Sequence, residues 1–178
     1  MKLLKTVRAD ISDTFVFDKA AGPGEWAISG AFLFANLDPA TLSGKRRTAL
    51  RSGFLGISSF GWSTLAQIVE ASEEQRSTAV EQLAAGLVER CGAPDLATAR
   101  AAAEEEMAFA ASLCDHVPGM LIAVSRRHEN EAIRESFRTL QANSSKPAPV
   151  FSFVEVVGEE AVPPEAIDLA GLLDRARQ

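Results

Sequence analysis

Residues 72–116 carry the longest helical pattern in the chain, and segments that read as strands flank them on both sides. Ser72-Glu73-Glu74-Gln75 has the form of a capping box: the serine oxygen accepts from a first-turn N–H and Gln75 reaches back to the cap. Val80, Leu83, Ala84, Leu87, Val88 and Cys91 then recur at helical spacing. Gly92 and Pro94 end that helix, and Asp95 caps a second that runs to about His116. The second stripe is Leu96, Ala99, Ala103, Met107, Ala110, Cys114 and Val117. Two helices joined by so short a turn form an αα-hairpin. Strands lie before and after this pair and do not alternate with it, which argues against a doubly wound nucleotide-binding sheet. The order predicts an α+β fold, a mostly antiparallel sheet with the hairpin (about 72–91 and 95–116) packed on one face.

The strand segments are legible by alternation and apolar runs. Residues 2–8 and 14–17 read as short strands, and residues 25–35 as a longer one. In the latter Trp26, Ile28, Phe32 and Phe34 share a face, and Gly30 marks a bulge or a close approach. Residues 45–51 predict a short helix. From Phe60 to Ala71 apolar residues fall on both faces, the pattern of a central strand covered on both sides, with Trp62 as a largely buried core or interface anchor. Residues 120–128 form a further strand. The segment 131–140 fits a helix and a strand alike, and its short connection favours a hairpin. Residues 150–157 read as a last strand.

At 178 residues the chain suits one domain, expected over 1–157, followed by an acidic tail over 158–178 with a short helix bearing Leu169, Leu172 and Leu173. A net charge of −6 argues against a role in gripping nucleic acid or an anionic membrane. The stretch 45–51, with four bases and no acid, reads as a polar helix face. Two cysteines make no disulfide framework, the first residues lack a signal-peptide core, and no stretch reaches the length of a membrane span. The expectation is a cytoplasmic protein whose Cys91 and Cys114 are both buried and unreactive.

Residues 56–63, GISSFGWS, match the phosphate-loop pattern G-x-x-x-x-G-K-[ST] except that Trp62 stands where lysine belongs. That loop works only between a strand and a helix N-terminus, with the lysine on the phosphates. Here a strand follows and the cation is missing, so no nucleotide site is expected. G-x-S-x-G is one residue out of register. Cys114 and His116 point apart on a helix, and no C-x-x-C pair supports zinc. No catalytic residue, cofactor or metal is therefore expected.

The candidate binding residues are Trp26, Trp62, Arg126, Arg127, His128, Arg134 and Arg138. If 120–128 and 131–140 pair, Arg134 and Arg138 share a face, which a cross-strand arginine would join to grip a carboxylate or phosphate. A charged, soluble sheet edge, with Glu129, Glu131 and Glu135 as partners, is the alternative. The runs LLKT, SDTFVFD, PGEWA, GFLG, SFGWSTL and EEEMAFAASLC resemble those of a small family of bacterial proteins of unknown function. The resemblance extends to about Leu140 and implies no activity. The leading expectation is a non-catalytic accessory protein acting through a protein partner or a second copy of itself. The alternative is an enzyme or binder of a small anionic molecule, with a pocket near Trp26, Trp62 and the arginines. Asp13, Asp18, Glu25 and His128 are its acid–base candidates by type.

Overall fold

A computed structural model describes residues 1–8, 12–129, 132–141 and 155–156. The fold is α+β. Its strands are β1 (Lys2–Val7), β2 (Trp26–Ile28), β3 (Phe54–Gly56), β4 (Gly61–Ser63), β5 (Leu65–Glu70), β6 (Leu121–Glu129), β7 (Ala132–Gln141) and the two-residue β8 (Glu155–Val156). They lie in the order β4-β3-β2-β1-β5-β6-β7-β8, and every ladder is antiparallel. The helices are α1 (Ser12–Val16), α2 (Gly44–Ser52), α3 (Glu73–Cys91) and α4 (Leu96–Ser112). The expected last strand over 150–157 is described only at 155–156, and the expected tail lies outside the described residues.

The helical hairpin forms as its caps dictate. Ser72 Oγ accepts from Gln75 N and the Gln75 side chain returns to Ser72 N. Gly92 closes α3 at φ 73°, where a side chain would be strained, and Asp95 accepts from Thr98 N. Val80, Leu83, Ala84 and Leu87 on α3 and Ala99, Ala103, Met107 and Ala110 on α4 join Leu4, Ile28, Phe54, Ile68 and Ile122 of the sheet in one core. Each of the larger side chains, Val, Leu, Ile, Met or Phe, stabilises the fold by roughly 1.5–3 kcal/mol.

Both ends of the helical stripes depart from expectation. Val88, Cys91, Leu96 and Val117 are exposed, because apolar spacing says nothing of how far the opposing surface extends. Cys114 is buried and its thiol bonds to Ala110 O at 3.3 Å. Burial pushes its pKa up to about 11. Burial also raises the Cys91 thiol pKa, against the pull of Arg90. In native protein a disulfide thiol reagent should therefore titrate one thiol, Cys91, faster above pH 9 than at pH 7. Cys114 should react only in denaturant. Two native equivalents would show that the base of α4 opens.

Three strand expectations are corrected. Residues 14–16 belong to α1 and Phe17 follows it: on so short a run periodicity cannot tell one helical turn from a strand, and the turn carries Phe17 into a second core cluster. The strand from residue 25 ends at Ile28. Gly30, at φ 73°, turns the chain into a 3-10 helix over Ala31–Phe34, and a Cβ there would stand 2.6 Å from Leu55 Cβ and 3.1 Å from the Trp62 ring. The run 60–71 is two strands, interrupted at Thr64. β4 is at the edge of the sheet and only β5 is central, so Trp62 is half-buried rather than a core residue. Asp13 sits at that break: its carboxylate accepts from Thr64 Oγ1 at 2.5 Å and from Ser63 Oγ at 3.3 Å.

Candidate functional site

The glycines of GISSFGWS build a β-hairpin. Gly56 and Gly61 are direct partners in β3 and β4, and Phe60 closes the turn at φ 54°. The loop's donors are satisfied from within. Glu25 Oε2 accepts from Ser59 N at 2.8 Å, Glu25 Oε1 accepts from Gly22 N, and Gly61 N donates to Ser59 Oγ. A carboxylate of this chain thus holds one of the N–H groups a phosphate would need, and β4 follows where a nucleotide site needs a helix. The Glu25 carboxylate thus serves backbone N–H groups, while that of Asp13 serves the Ser63 and Thr64 hydroxyls and Thr64 N.

The arginines separate along β6 and β7. Arg127 lies directly opposite Arg134, and Arg138 opposite Ala123. Arg127, His128, Arg134 and Arg138 are exposed, and Arg134 pairs with Glu129 at 3.3 Å. Arg126 is the exception. Its guanidinium is fully buried and donates to Glu135 Oε1 at 2.7 Å, Gly53 O at 2.8 Å, Leu50 O at 3.1 Å and Ser29 O at 2.5 Å. It therefore satisfies carbonyls left open at the C-terminus of α2 and cannot reach a ligand, contrary to its expected role. The negative end of the helix dipole and Glu135 offset the desolvation that lowers its pKa. Arg126 bolts α2 to β6, and Ser29 ties that joint to β2.

Glu106 on α4 faces the same joint. Burial first, then the charge of Glu135, push its pKa up to about 7, while Arg126 pulls it down and Glu105 adds a further raising charge. A carboxyl whose folded pKa exceeds its unfolded value contributes stability that is complete at low pH and is lost as pH rises through about 7. Glu106→Gln should therefore stabilise the protein at pH 8 by about 1–2 kcal/mol, since solvent screens part of the shift at this half-buried site. At pH 4, below the unfolded value, the variant and the parent should unfold nearly alike. An equal gain at both pH values in urea titrations would remove Glu106 from the joint.

The helix so anchored carries the site that the sequence reading passed over. Lys45, Arg46, Arg47 and Arg51 are exposed on α2, and among the described residues none makes an ion pair or hydrogen bond through its side chain. Three of them stand in or beside the first turn, which holds no acid, and Ser43 gives no side-chain cap. Cations there oppose the helix dipole, at about 0.3–1 kcal/mol each. Two clefts border the helix. One, of about 430 Å³, lies between Thr48, Arg51 and Ser52 of α2 and Ala123, Ser125 and Arg138 of the sheet. The other, of about 280 Å³, has Trp62, Phe34, Leu33 and Ala49 as its floor and Asp18, Lys19, Lys45 and Arg46 at its rim.

Trp62 is seated by two glycines. A Cβ at Gly53 would meet its Cε3 at 2.7 Å, and Gly30 lies under Cζ3 and Cη2. Phe34 packs against it at 5.2 Å between ring centroids. Trp26 is not in this cleft: it is half-buried on β2 with the Lys5 ammonium 4.4 Å from its ring centroid. Of the expected pocket, the structure brings Trp62 to one cleft and Arg138 to the other, with α2 joining them. The signal that could have found α2 is the run of four bases without an acid.

Among the described residues no helix is long and apolar enough to cross a membrane, and no cluster of three His, Cys, Asp or Glu side chains is arranged to hold a metal. A family model described as a family of unknown function (DUF6505) matches residues 1–153. No curated protein and no solved structure matches the chain.

Proposed function

The chain belongs to this family of unknown function, and from that premise we propose that it is a non-catalytic accessory protein that holds an acidic segment of a partner protein on α2. The observation that carries the reading is the set of four unpaired cations on α2 in a chain of net charge −6. An acidic protein has carboxylates to spare, yet among the described residues none forms an ion pair with these four side chains. The first-turn cations cost helix stability, and a local rule broken without an internal gain points to a use outside the chain. Arg138, across the cleft from Arg51, extends the positive surface toward Arg127 and Arg134. Arg126 acts as a positioning residue that keeps α2 in one orientation.

Charge swaps away from the cleft floor test this. The double variant Arg47→Glu/Arg51→Glu should fold with undiminished stability and lose a partner that wild-type protein captures from its native cells at low salt. That capture should also weaken steeply with ionic strength. A partner held equally by both proteins at low and high salt would overturn the reading.

A further inference from the structure

We infer that the 280 Å³ cleft beside α2 takes one aromatic side chain of that acidic segment, with its flanking carboxylates on Lys45 and Arg46; this deepens the proposed function and rests on it. The cleft has two unlike parts. Its floor is apolar and aromatic: Trp62 and Phe34 meet at a 33° tilt, with Leu33 and Ala49 beside them. Its rim carries three cations and one acid. Lys19 already donates to Ser59 O, whereas Lys45 and Arg46 have no partner among the described residues. Unlike rim and floor call for an occupant with the same division, an apolar ring between negative charges.

Pockets for drug-sized ligands run from about 300 to 1,000 Å³, so this cleft is at the small end of that range. It suits one anchor side chain of an interface, and such anchors are enriched in aromatic residues. Stacking on the Trp62 and Phe34 rings adds roughly 0.5–1.5 kcal/mol to the area buried. Asp18 bars a carboxylate from its own corner of the rim and offers an acceptor to a peptide N–H.

Trp62 reports its own occupancy. In a Trp26→Phe background the remaining indole fluorescence belongs to this cleft, because the chain has two tryptophans. The probe is the blocked peptide Glu-Glu-Phe-Glu-Glu, compared with Glu-Glu-Ala-Glu-Glu, Gln-Gln-Phe-Gln-Gln and free phenylacetate. We expect a saturable change with the first peptide, at least tenfold weaker binding by each of the other three, and loss of the change in Lys45→Gln/Arg46→Gln. That variant keeps its fold, since it removes charges that oppose the α2 dipole. Equal binding of the Phe and Ala peptides would overturn the anchor and leave the α2 reading standing. Phenylacetate binding as well as the peptide would overturn it in favour of a small aromatic acid. No response to any acidic peptide, with charge-dependent partner capture through Arg47 and Arg51 intact, would also place the anchor elsewhere. Failure of both experiments would remove the two readings together.

Discussion

Replacing Arg126 by methionine should cost the protein about 3–5 kcal/mol, the usual loss when one partner of a buried ion pair is removed. In a chain of this size that lowers the melting temperature by about 10 °C or more. The loss has two physical parts. The Glu135 carboxylate, with only 17% of its side chain exposed, is left without its cation, and the carbonyls of Leu50 and Gly53 lose their donor. The two parts can be told apart. Adding Glu135→Met to Arg126→Met should recover the first and not the second, so the double variant should lie between the single variant and the wild type in urea titrations. Arg126→Lys should recover little, because a point ammonium cannot span Glu135, Ser29 and the end of α2 as a planar guanidinium does. A loss below about 1 kcal/mol for Arg126→Met would mean that the joint does not hold α2.

Gly61→Ala should be the most damaging small substitution in the hairpin. A Cβ there would stand 2.6 Å from the carbon and oxygen of the Ala20 carbonyl and 2.7 Å from Ala21 N, and backbone cannot swing aside as a side-chain tip can. The approach is close because Trp62 bonds to the passing 19–21 segment, N–H to Lys19 O at 2.8 Å and C=O from Ala21 N at 2.9 Å. Overpacking of this kind costs about 3 kcal/mol, at the upper end of its usual range. Trp62 lies next in the chain, so its fluorescence should shift together with the lost stability. Gly92→Ala should move no neighbour, since nothing stands within 4 Å of its Cβ position. A native-like melting curve for Gly61→Ala would show that the 19–21 segment is not pinned to β4.

What could be read along the chain was what local chemistry decides. The capping box at Ser72, the stop at Gly92 and the cap at Asp95 each involve residues within one turn, and each stands where the spacing puts it. The β6–β7 hairpin follows from a short connection between alternating segments. What failed was whatever a distant residue decides. Residues 14–16 lie in α1, whose Asp13 is held by Ser63 and Thr64, fifty residues along the chain. Arg126 looked like its neighbours in sequence, and only the open C-terminus of α2 distinguishes it. The run of bases at 45–51 was visible throughout, but its lack of acidic partners is a fact of three dimensions.

The place of β5 in the sheet bears on how this chain comes into being. Leu4 of β1 pairs with Ile68, and Ala66 pairs with Ile122 of β6, so β5 joins partners that lie far off in opposite directions along the chain. Each ladder closes a loop on the order of 60 residues, an entropic cost of roughly 3–4 kcal/mol before any pairing repays it. The helical hairpin, built from local contacts, can form while β5 waits. During synthesis β1 emerges first and can close on β5 as soon as residue 70 is free, but the other edge of β5 stays open until residues beyond 120 leave the ribosome. An unpaired strand edge of that kind recruits other chains. The interval between residues 70 and 120 is therefore the period in which a nascent chain of this protein is most exposed to aggregation, and α3 and α4, made during it, are the elements at hand to cover the apolar face.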